Sequence, residues 1–220
     1  MLRGIPYVAL LTVAGLMFGW MIHAPAQPPP PGRKADKKGE EKKGKGKKED
    51  EIERFPDRID RLRRQLEYTH SADPERQTLL WNSGVYANKA DQTWRTQQPY
   101  IADRILAAAE SLFRASDHLQ HIAGAPGFPP PPSPPAEDVS RRLAQVYFRT
   151  READFFLQEI HDNSASPLVS LLRQYYQRAV QAYDRSDFRG ADEYGKAAEE
   201  IVKALENLAQ AATLAPQARR

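Results

Sequence analysis

The chain has 220 residues, no cysteine and a formal net charge of +3. The lack of cysteine excludes disulfides, thiolate nucleophiles and Cys-ligated metals. Residues 33–50 hold nine Lys/Arg against five Asp/Glu, a surplus of four, and Arg3 adds one more, which leaves −2 for residues 51–220. Because nucleic-acid binding usually needs a basic face, we expect no nucleic-acid partner for this part of the chain.

Residues 1–26 are typical of a targeting segment. Arg3 precedes an apolar run from Ile5 to Ile22, and Ala24-Pro25-Ala26 then offers a small-x-small cleavage pattern. The run has about 18 residues, near the lower limit for a membrane-spanning helix. We expect a signal peptide or membrane anchor and an extracytoplasmic location, in the periplasm or cell envelope. The basic run that follows favours the alternative, a membrane-anchored form that faces the cytoplasm.

Residues 27–50 have the composition of a disordered linker. Pro28 to Pro31 favour an extended polyproline II conformation. The Lys/Gly/Glu run after them contains one apolar residue, Ala35, so it buries too little surface to become ordered. We expect a spacer between the N-terminal segment and the rest of the chain.

Residues 51–215 are predicted to form a domain of helices. Apolar residues there recur at alternating spacings of three and four, as on one face of an amphipathic helix. The clearest such stripe follows Pro99 and comprises Ile101, Ile105, Ala108, Leu112, Ala115, Leu119 and Ile122. With Pro, Asp and Gly as boundary signals, the pattern predicts helices over about 57–69, 74–97, 99–123, 137–163, 167–185 and 188–213. The predicted N-caps are Asp73, Ser166 and Asp187.

These helices predict an all-α, up-and-down antiparallel bundle of four to six helices. Their heptad-like spacing favours coiled-coil packing of knobs into holes. Short connections place sequential helices side by side, so the helix at 99–123 is expected to pack against the helix at 137–163. No acidic residue lies on the apolar stripes of the helices from residue 99 onward, so the interior is expected to be closed and free of charged clusters.

One stretch near the C-terminus resembles part of a known repeat. Residues 179–198 read AVQAYDRSDFRGADEYGKAA. The residues that match the small positions and the turn of a tetratricopeptide repeat are Ala179, Asp187-Phe188, Ala191 and Ala198. Ser186 replaces the usual Gly, Gly195 replaces an aromatic residue, and the terminal Pro is missing. The resemblance implies one helical hairpin with close backbones, and no repeat array because no second copy is present.

His118 and His121 are the first candidates for chemistry. Their i, i+3 spacing on one helix can hold a metal ion if a third ligand comes from a neighbouring helix. His161 ends the following helix, about 30 Å away if those two helices are antiparallel. The three histidines are therefore not expected to meet, and we assign no metal ligand and no cofactor.

Other catalytic signatures are incomplete. Glu67 and His70 form one Glu-x-x-His pair, whereas a di-iron site in a bundle needs two. There is no G-x-S-x-G nucleophile motif and no glycine-rich phosphate loop after a strand. We therefore assign no catalytic residue and expect that the protein is not an enzyme.

Aromatic residues are the candidates for contacts with a partner. Trp81 and Trp94 in the second helix are expected at the core or its edge. Tyr176, Tyr183 and Tyr194 fall beside the apolar stripes, so they are the predicted interaction surface, either as a groove or as a dimer face.

Together these features predict a non-enzymatic, exported or membrane-tethered helical bundle that acts as an interaction or scaffold module. We expect a protein partner or self-association, and membrane contact through the N-terminal segment. The alternative is a small-ligand or metal-binding bundle. It would use histidines across a dimer interface, or a cavity beside the small residues Ala108, Ala115, Ala153, Ala198 and Gly195.

Overall fold

The described part of the protein is all-α. The computed structural model describes residues 54–123, 132–160 and 165–215, which form six helices with no strand among them. The predictions for residues 1–26 and 27–50 concern residues outside these ranges. Among the described helices, none combines the length and the hydropathy that a membrane-spanning segment requires.

The six helices follow the order and approximate bounds that the apolar periodicity predicts. Each described end lies within one helical turn of its predicted position. The helices are α1 (Phe55–Tyr68), α2 (Pro74–Arg95), α3 (Pro99–Ala123), α4 (Ala136–Ile160), α5 (Ser166–Asp184) and α6 (Phe188–Leu214). The all-α fold class is thereby confirmed.

Two of the predicted helix caps are present as expected. The side chain of Asp73 accepts a hydrogen bond from Glu75 N, and that of Asp187 accepts one from Gly190 N, each at 2.9 Å. These bonds satisfy backbone N–H groups that have no partner within the first turn. The prediction of Ser166 as a cap is wrong, because α5 starts at Ser166. Pro167 therefore occupies the second position of α5, where the missing N–H costs no hydrogen bond either.

Helix α6 is the centre of the bundle and packs against α3, α4 and α5. It runs antiparallel to α3, since residues 104 and 118 of α3 contact residues 207 and 193 of α6. It runs parallel to α4, since Arg142 and Arg149 contact Asp192 and Glu206. Along the chain, α2 to α6 therefore alternate in direction, as an up-and-down bundle requires.

The predicted side-by-side pairing of α3 with α4 is wrong. In the described residues α3 packs closely against α2 and α6, and α4 packs against α5 and α6. The apolar stripes of these helices have the same heptad-like spacing, so the spacing alone does not decide whether α3 packs against α4 or against α6. The connector at 124–135, with about a dozen residues, is also longer than the short links that force neighbours together.

Small residues occupy much of the buried surface of α3 and α6. The fully buried alanines of the two helices are Ala102, Ala108, Ala109, Ala115, Ala191, Ala197, Ala198 and Ala204. Small side chains at a helix contact allow the two axes to approach closely. At Gly195, an added Cβ would lie 3.2 Å from Cδ of Arg142. The small residue there accommodates Arg142 of α4, and it does not leave the cavity considered from the sequence.

The interior also holds more charge than the apolar stripes predict. Asp192 and Glu200 on α6 are each only 8% exposed, and both lie at the border between the apolar stripe and the solvent-facing side. Burying a carboxylate is costly unless it is paired. Both residues are paired with arginines of neighbouring helices, so one side of α6 becomes a row of ion pairs.

Candidate functional site

The row of ion pairs along α6 joins it to α3 and α4. Nε of Arg142 donates to Oδ1 of Asp192 at 2.8 Å, and its Nη1 donates to Oε2 of Glu199 at 3.1 Å. On the other flank, Nε of Arg114 donates to Oε2 of Glu200 at 2.9 Å. These bonds hold neighbouring helices in register, which is a structural role that needs no ligand.

One part of this row differs because it contains two imidazoles. Nδ1 of His118 lies 2.8 Å from Oε2 of Glu193, and Nδ1 of His121 lies 3.6 Å from the same oxygen. The two rings are 6.2 Å apart between centroids. The three side chains each offer a ligand atom within 4.8 Å of the other two, so they form a histidine–glutamate cluster between α3 and α6.

The carboxylate of Glu193 is strongly held in its charged form. Burial by itself would raise the pKa of Glu193, but hydrogen bonds from His118 and Lys196 outweigh it and lower the pKa to about 2. Lys196 donates from Nζ to Oε1 at 2.9 Å, which is the oxygen that the histidines do not approach. In contrast, burial raises the pKa of nearby Asp117 despite the opposing influence of Arg76 and both imidazoles.

Sequence reasoning found the two histidines and missed their partner. It searched for a third ligand on the helix expected to pack against α3, whereas Glu193 lies on α6. A signal was present in the sequence: charged residues flank the apolar stripe of α6 on the same side for several turns. These charged residues are Asp192, Glu193, Lys196, Glu199, Glu200 and Lys203.

The other sequence candidates for chemistry do not assemble. Glu67 and His70 are both exposed at the end of α1. His161 lies outside the residues that the structure describes, so the predicted distance between it and the other histidines stays a prediction.

The three tyrosines of the predicted interaction surface are half-buried and contact different neighbours. Tyr176 lies 6.0 Å from Tyr147 between ring centroids, and Tyr183 lies 5.4 Å from Phe188. Tyr194 lies 6.3 Å from the buried ring of Tyr175. Their role as an interaction surface stays a prediction, since each ring also packs within the bundle.

Two exposed phenylalanines lie on the side of α4 opposite its apolar stripe. Phe148 is 64% exposed and Phe155 is 59% exposed, and they are seven residues apart, so they share one face of the helix. Arg151 and Glu152 lie between them on the same face, and both are exposed. We call Phe148, Arg151, Glu152 and Phe155 the outer face of α4.

Beside this face an open groove of about 460 Å³ runs between α4 and α6. Val146 and Phe148 line it from α4, and Val202, Lys203 and Glu206 line it from α6. Phe148 therefore belongs both to the outer face of α4 and to the rim of the groove. The rest of the groove wall is largely made of paired charges, so it is less apolar than the outer face.

The two tryptophans of α2 have different surroundings. Trp94 is half-buried and stacks on Phe55 with a ring-centroid distance of 4.4 Å. Trp81 is 73% exposed, so the prediction that it lies in the core or at its edge is wrong. It lies on the solvent side of α2, which packs mainly against α3. An exposed aromatic residue on its own is common, whereas the two phenylalanines of α4 form a repeated pattern.

The chain matches no protein-family model, no curated protein and no solved structure. The resemblance of residues 179–198 to a tetratricopeptide repeat therefore stays a prediction, although those residues do span the turn of the α5–α6 hairpin. Two features of the described residues bear on function: the outer face of α4 and the histidine–glutamate cluster.

Proposed function

We propose that this protein is a non-enzymatic, exported or membrane-tethered helical bundle that acts as an interaction module. We further propose that the outer face of α4 performs this role through antiparallel association with a second copy of the chain. The observation that supports the proposal most is the exposure of two phenylalanines seven residues apart on one helix face.

The apolar character of this face favours burial against another surface. Aromatic residues contribute heavily to protein–protein contacts because each one buries a large area at little cost in side-chain entropy. Phe148 packs edge-on against Tyr147, and Phe155 packs edge-on against Phe156, yet both rings remain more than half exposed. A partner that covers them would remove this apolar surface from water.

The charges on the outer face of α4 indicate that the partner is a second copy of the chain. If two α4 helices lie antiparallel about a two-fold axis that passes between residues 151 and 152, Phe148 faces Phe155 of the second copy. Arg151 then faces Glu152 of the second copy, and each of these pairs occurs twice. Such self-complementarity is what a symmetric dimer interface requires.

Arg151 and Glu152 each contact a neighbour within α4, and both side chains remain exposed. Arg151 lies 6.0 Å above the ring of Tyr147, and Glu152 accepts one contact from Arg149 at 3.2 Å. Arg149 also contacts Glu206 at 2.7 Å, so it keeps a partner when Glu152 turns to a second copy. A single helix face is smaller than the roughly 1,200 Å² of a standard interface, so we expect a weak dimer.

Sedimentation velocity of the purified chain over a range of concentrations tests this proposal. The wild-type chain should show a sedimentation coefficient that rises with concentration. The double variant Phe148→Ser/Phe155→Ser should remain monomeric, while Trp81→Ser, which removes an equally exposed aromatic residue from α2, should behave as the wild type. A wild-type chain that is monomeric throughout, or equal effects of both substitutions, would refute self-association through α4.

The proposed location rests on residues 1–26 and on the linker at 27–50. We propose that the bundle lies outside the cytoplasm, with a cytoplasm-facing anchored form as the alternative. Protease treatment of intact cells, followed by immunodetection of the bundle, distinguishes the two: an extracytoplasmic bundle is degraded once the outer envelope is permeabilised, and a cytoplasmic one is protected. A bundle found entirely in the soluble cytosolic fraction would contradict both forms.

The second candidate function, a small-ligand or metal-binding bundle, is favoured by one specific observation. The histidine–glutamate cluster brings three metal-ligand side chains together within a single chain. This differs from the arrangement across a dimer interface that the sequence suggested.

A further inference from the structure

We propose that His118, His121 and Glu193 form a binding site for a divalent transition metal of the Zn²⁺ class. Two imidazole nitrogens and one carboxylate oxygen are a ligand set that such ions accept in proteins, with water completing the coordination. The inference is independent of self-association through α4, because no residue of the cluster lies on that helix.

Two of the three distances between the ligand atoms are close to those that a bound ion requires, and all three atoms lie within 4.8 Å of one another. With metal–ligand bonds of about 2.0–2.1 Å, the edge of a tetrahedron is about 3.3–3.4 Å long. The observed distances from Oε2 of Glu193 are 2.8 Å to His118 and 3.6 Å to His121. The first has to lengthen by about half an ångström and the second to shorten by about a quarter of an ångström. Small side-chain rotations supply such shifts without moving the helices.

The backbone around the cluster is well held. His118 and His121 lie one turn apart near the end of α3, and Glu193 lies near the start of α6. These two helices form the most extensive contact in the bundle, and Leu119, which lies between the histidines in sequence, is buried in the hydrophobic core. Ligands on rigid elements lose little conformational freedom when the ion binds.

Neighbouring cations are positioned so that they leave the ligand atoms available. Lys196 bonds to Oε1 of Glu193, which leaves Oε2 directed towards the imidazoles. Arg189 donates to the backbone oxygen of His121 at 2.8 Å, and this bond does not involve the imidazole ring. The side chain of His121 is largely exposed, so an ion can enter from solvent and keep water in its remaining positions.

Titration of the purified full-length chain with Zn²⁺, followed by isothermal calorimetry, tests the site. We expect one Zn²⁺ ion per chain and no comparable binding of Mg²⁺, which prefers oxygen ligands. Glu193→Gln and His121→Ala should each weaken Zn²⁺ binding at least about tenfold, since even outer-shell changes cost about 10- to 100-fold. His70→Ala removes an exposed histidine that does not belong to the cluster, and it is the control.

His121 is exposed, so His121→Ala should leave the fold intact, and circular dichroism checks this for both variants. Absence of one-to-one Zn²⁺ binding by the wild-type chain would overturn the proposal. So would a loss smaller than tenfold in either folded variant, or an equal loss in His70→Ala. In those cases the cluster is a hydrogen-bonded link between helices and nothing more.

Discussion

Nδ1 of His118 on α3 lies 2.8 Å from Oε2 of Glu193 on α6. This contact joins the end of one helix to the beginning of another helix that follows it by about 65 residues of chain. Two turns further along α6, Arg114 of α3 bonds to Glu200 in the same way. The long α3–α6 contact therefore has an apolar centre of small residues and a charged border, and each part can be tested separately.

Glu200 should make stability depend on pH. Burial favours its neutral form, but hydrogen bonds from Lys203 and Arg114 outweigh this and lower its pKa below the ordinary value. A carboxyl group whose pKa is lower in the folded state stabilises the fold above its unfolded pKa and loses this contribution on acidification. Glu200→Gln should therefore cost about 1 kcal/mol of unfolding free energy at pH 7, a moderate value because Arg114 is half exposed.

Urea unfolding of Glu200→Gln and the wild type at a series of pH values checks this. The difference between them should shrink over the acid range in which the pH falls below the ordinary pKa of a glutamate and then through the lowered pKa of Glu200 in the folded state. A difference that stays constant across this range would show that the charge of Glu200 does not stabilise the fold.

The hydroxyl of Tyr175 should be dispensable for stability. Its ring is fully buried, and its oxygen has no hydrogen-bond partner among the described residues. Burial also raises the pKa of this phenol above its ordinary value. An unpartnered buried hydroxyl costs free energy, so Tyr175→Phe should raise the unfolding free energy by about 1 kcal/mol. The control Tyr176→Phe, at a half-buried site, should change the unfolding free energy by less than about 0.5 kcal/mol. Chemical unfolding measures both variants, and a Tyr175→Phe variant that is less stable than the wild type would contradict this account.

The turn between α5 and α6 contains strain that glycine should relieve. Ser186 has φ of +62°, in the left-handed region that is unfavourable for residues with a Cβ. Ser186→Gly should stabilise the protein by about 0.5–1 kcal/mol, because the relieved strain exceeds the entropy that glycine adds to the unfolded chain. Ser170→Gly in the middle of α5 should instead destabilise it. Thermal unfolding measures the stability of both variants. If both are stabilised or both are destabilised, the account of strain at Ser186 is wrong.

The fully buried small residues of α3 should not tolerate larger ones. Ala108 is fully buried, so Ala108→Leu forces the neighbouring side chains apart and should cost about 1–3 kcal/mol in chemical unfolding. Ala107→Leu is the control, since Ala107 is adjacent on α3 but half-buried. If Ala108→Leu is no more destabilising than Ala107→Leu, the close packing described for this region is wrong.

The helices could be predicted from local signals that each act within a few residues. Asp73 and Asp187 are caps in the sequence and caps in the structure, because a side-chain bond to the first turn depends only on adjacent residues. Pro99 likewise marks the start of α3. The alternating helix directions followed from the order of elements along the chain.

The choice of neighbours could not be predicted, because it depends on which of several similar stripes pack together. The sequence argument placed α3 beside α4, and it therefore missed Glu193 as a partner of His118. Phe148 and Phe155 were missed for a different reason: an apolar residue on the polar side of a helix carries no local signal about what covers it. The exposure of Trp81 could not be predicted for the same reason: a large aromatic residue was expected in the core or at its edge, but it lies on the solvent side of α2.

The choice of a second copy as the partner depends most directly on the charges of the outer face of α4. In the antiparallel arrangement, Arg151→Glu places Glu opposite Glu152 of a second copy, and Glu152→Arg places Arg opposite Arg151. Each single variant should therefore associate less than the wild type, because like charges meet at two positions. A mixture of the two variants places opposite charges together again.

Sedimentation velocity of each single variant and of their equimolar mixture is the most direct test of the central claim. The account predicts that the mixture forms a dimer more strongly than either variant alone at the same total concentration. A mixture that sediments as the average of its two components would contradict association through the outer face of α4.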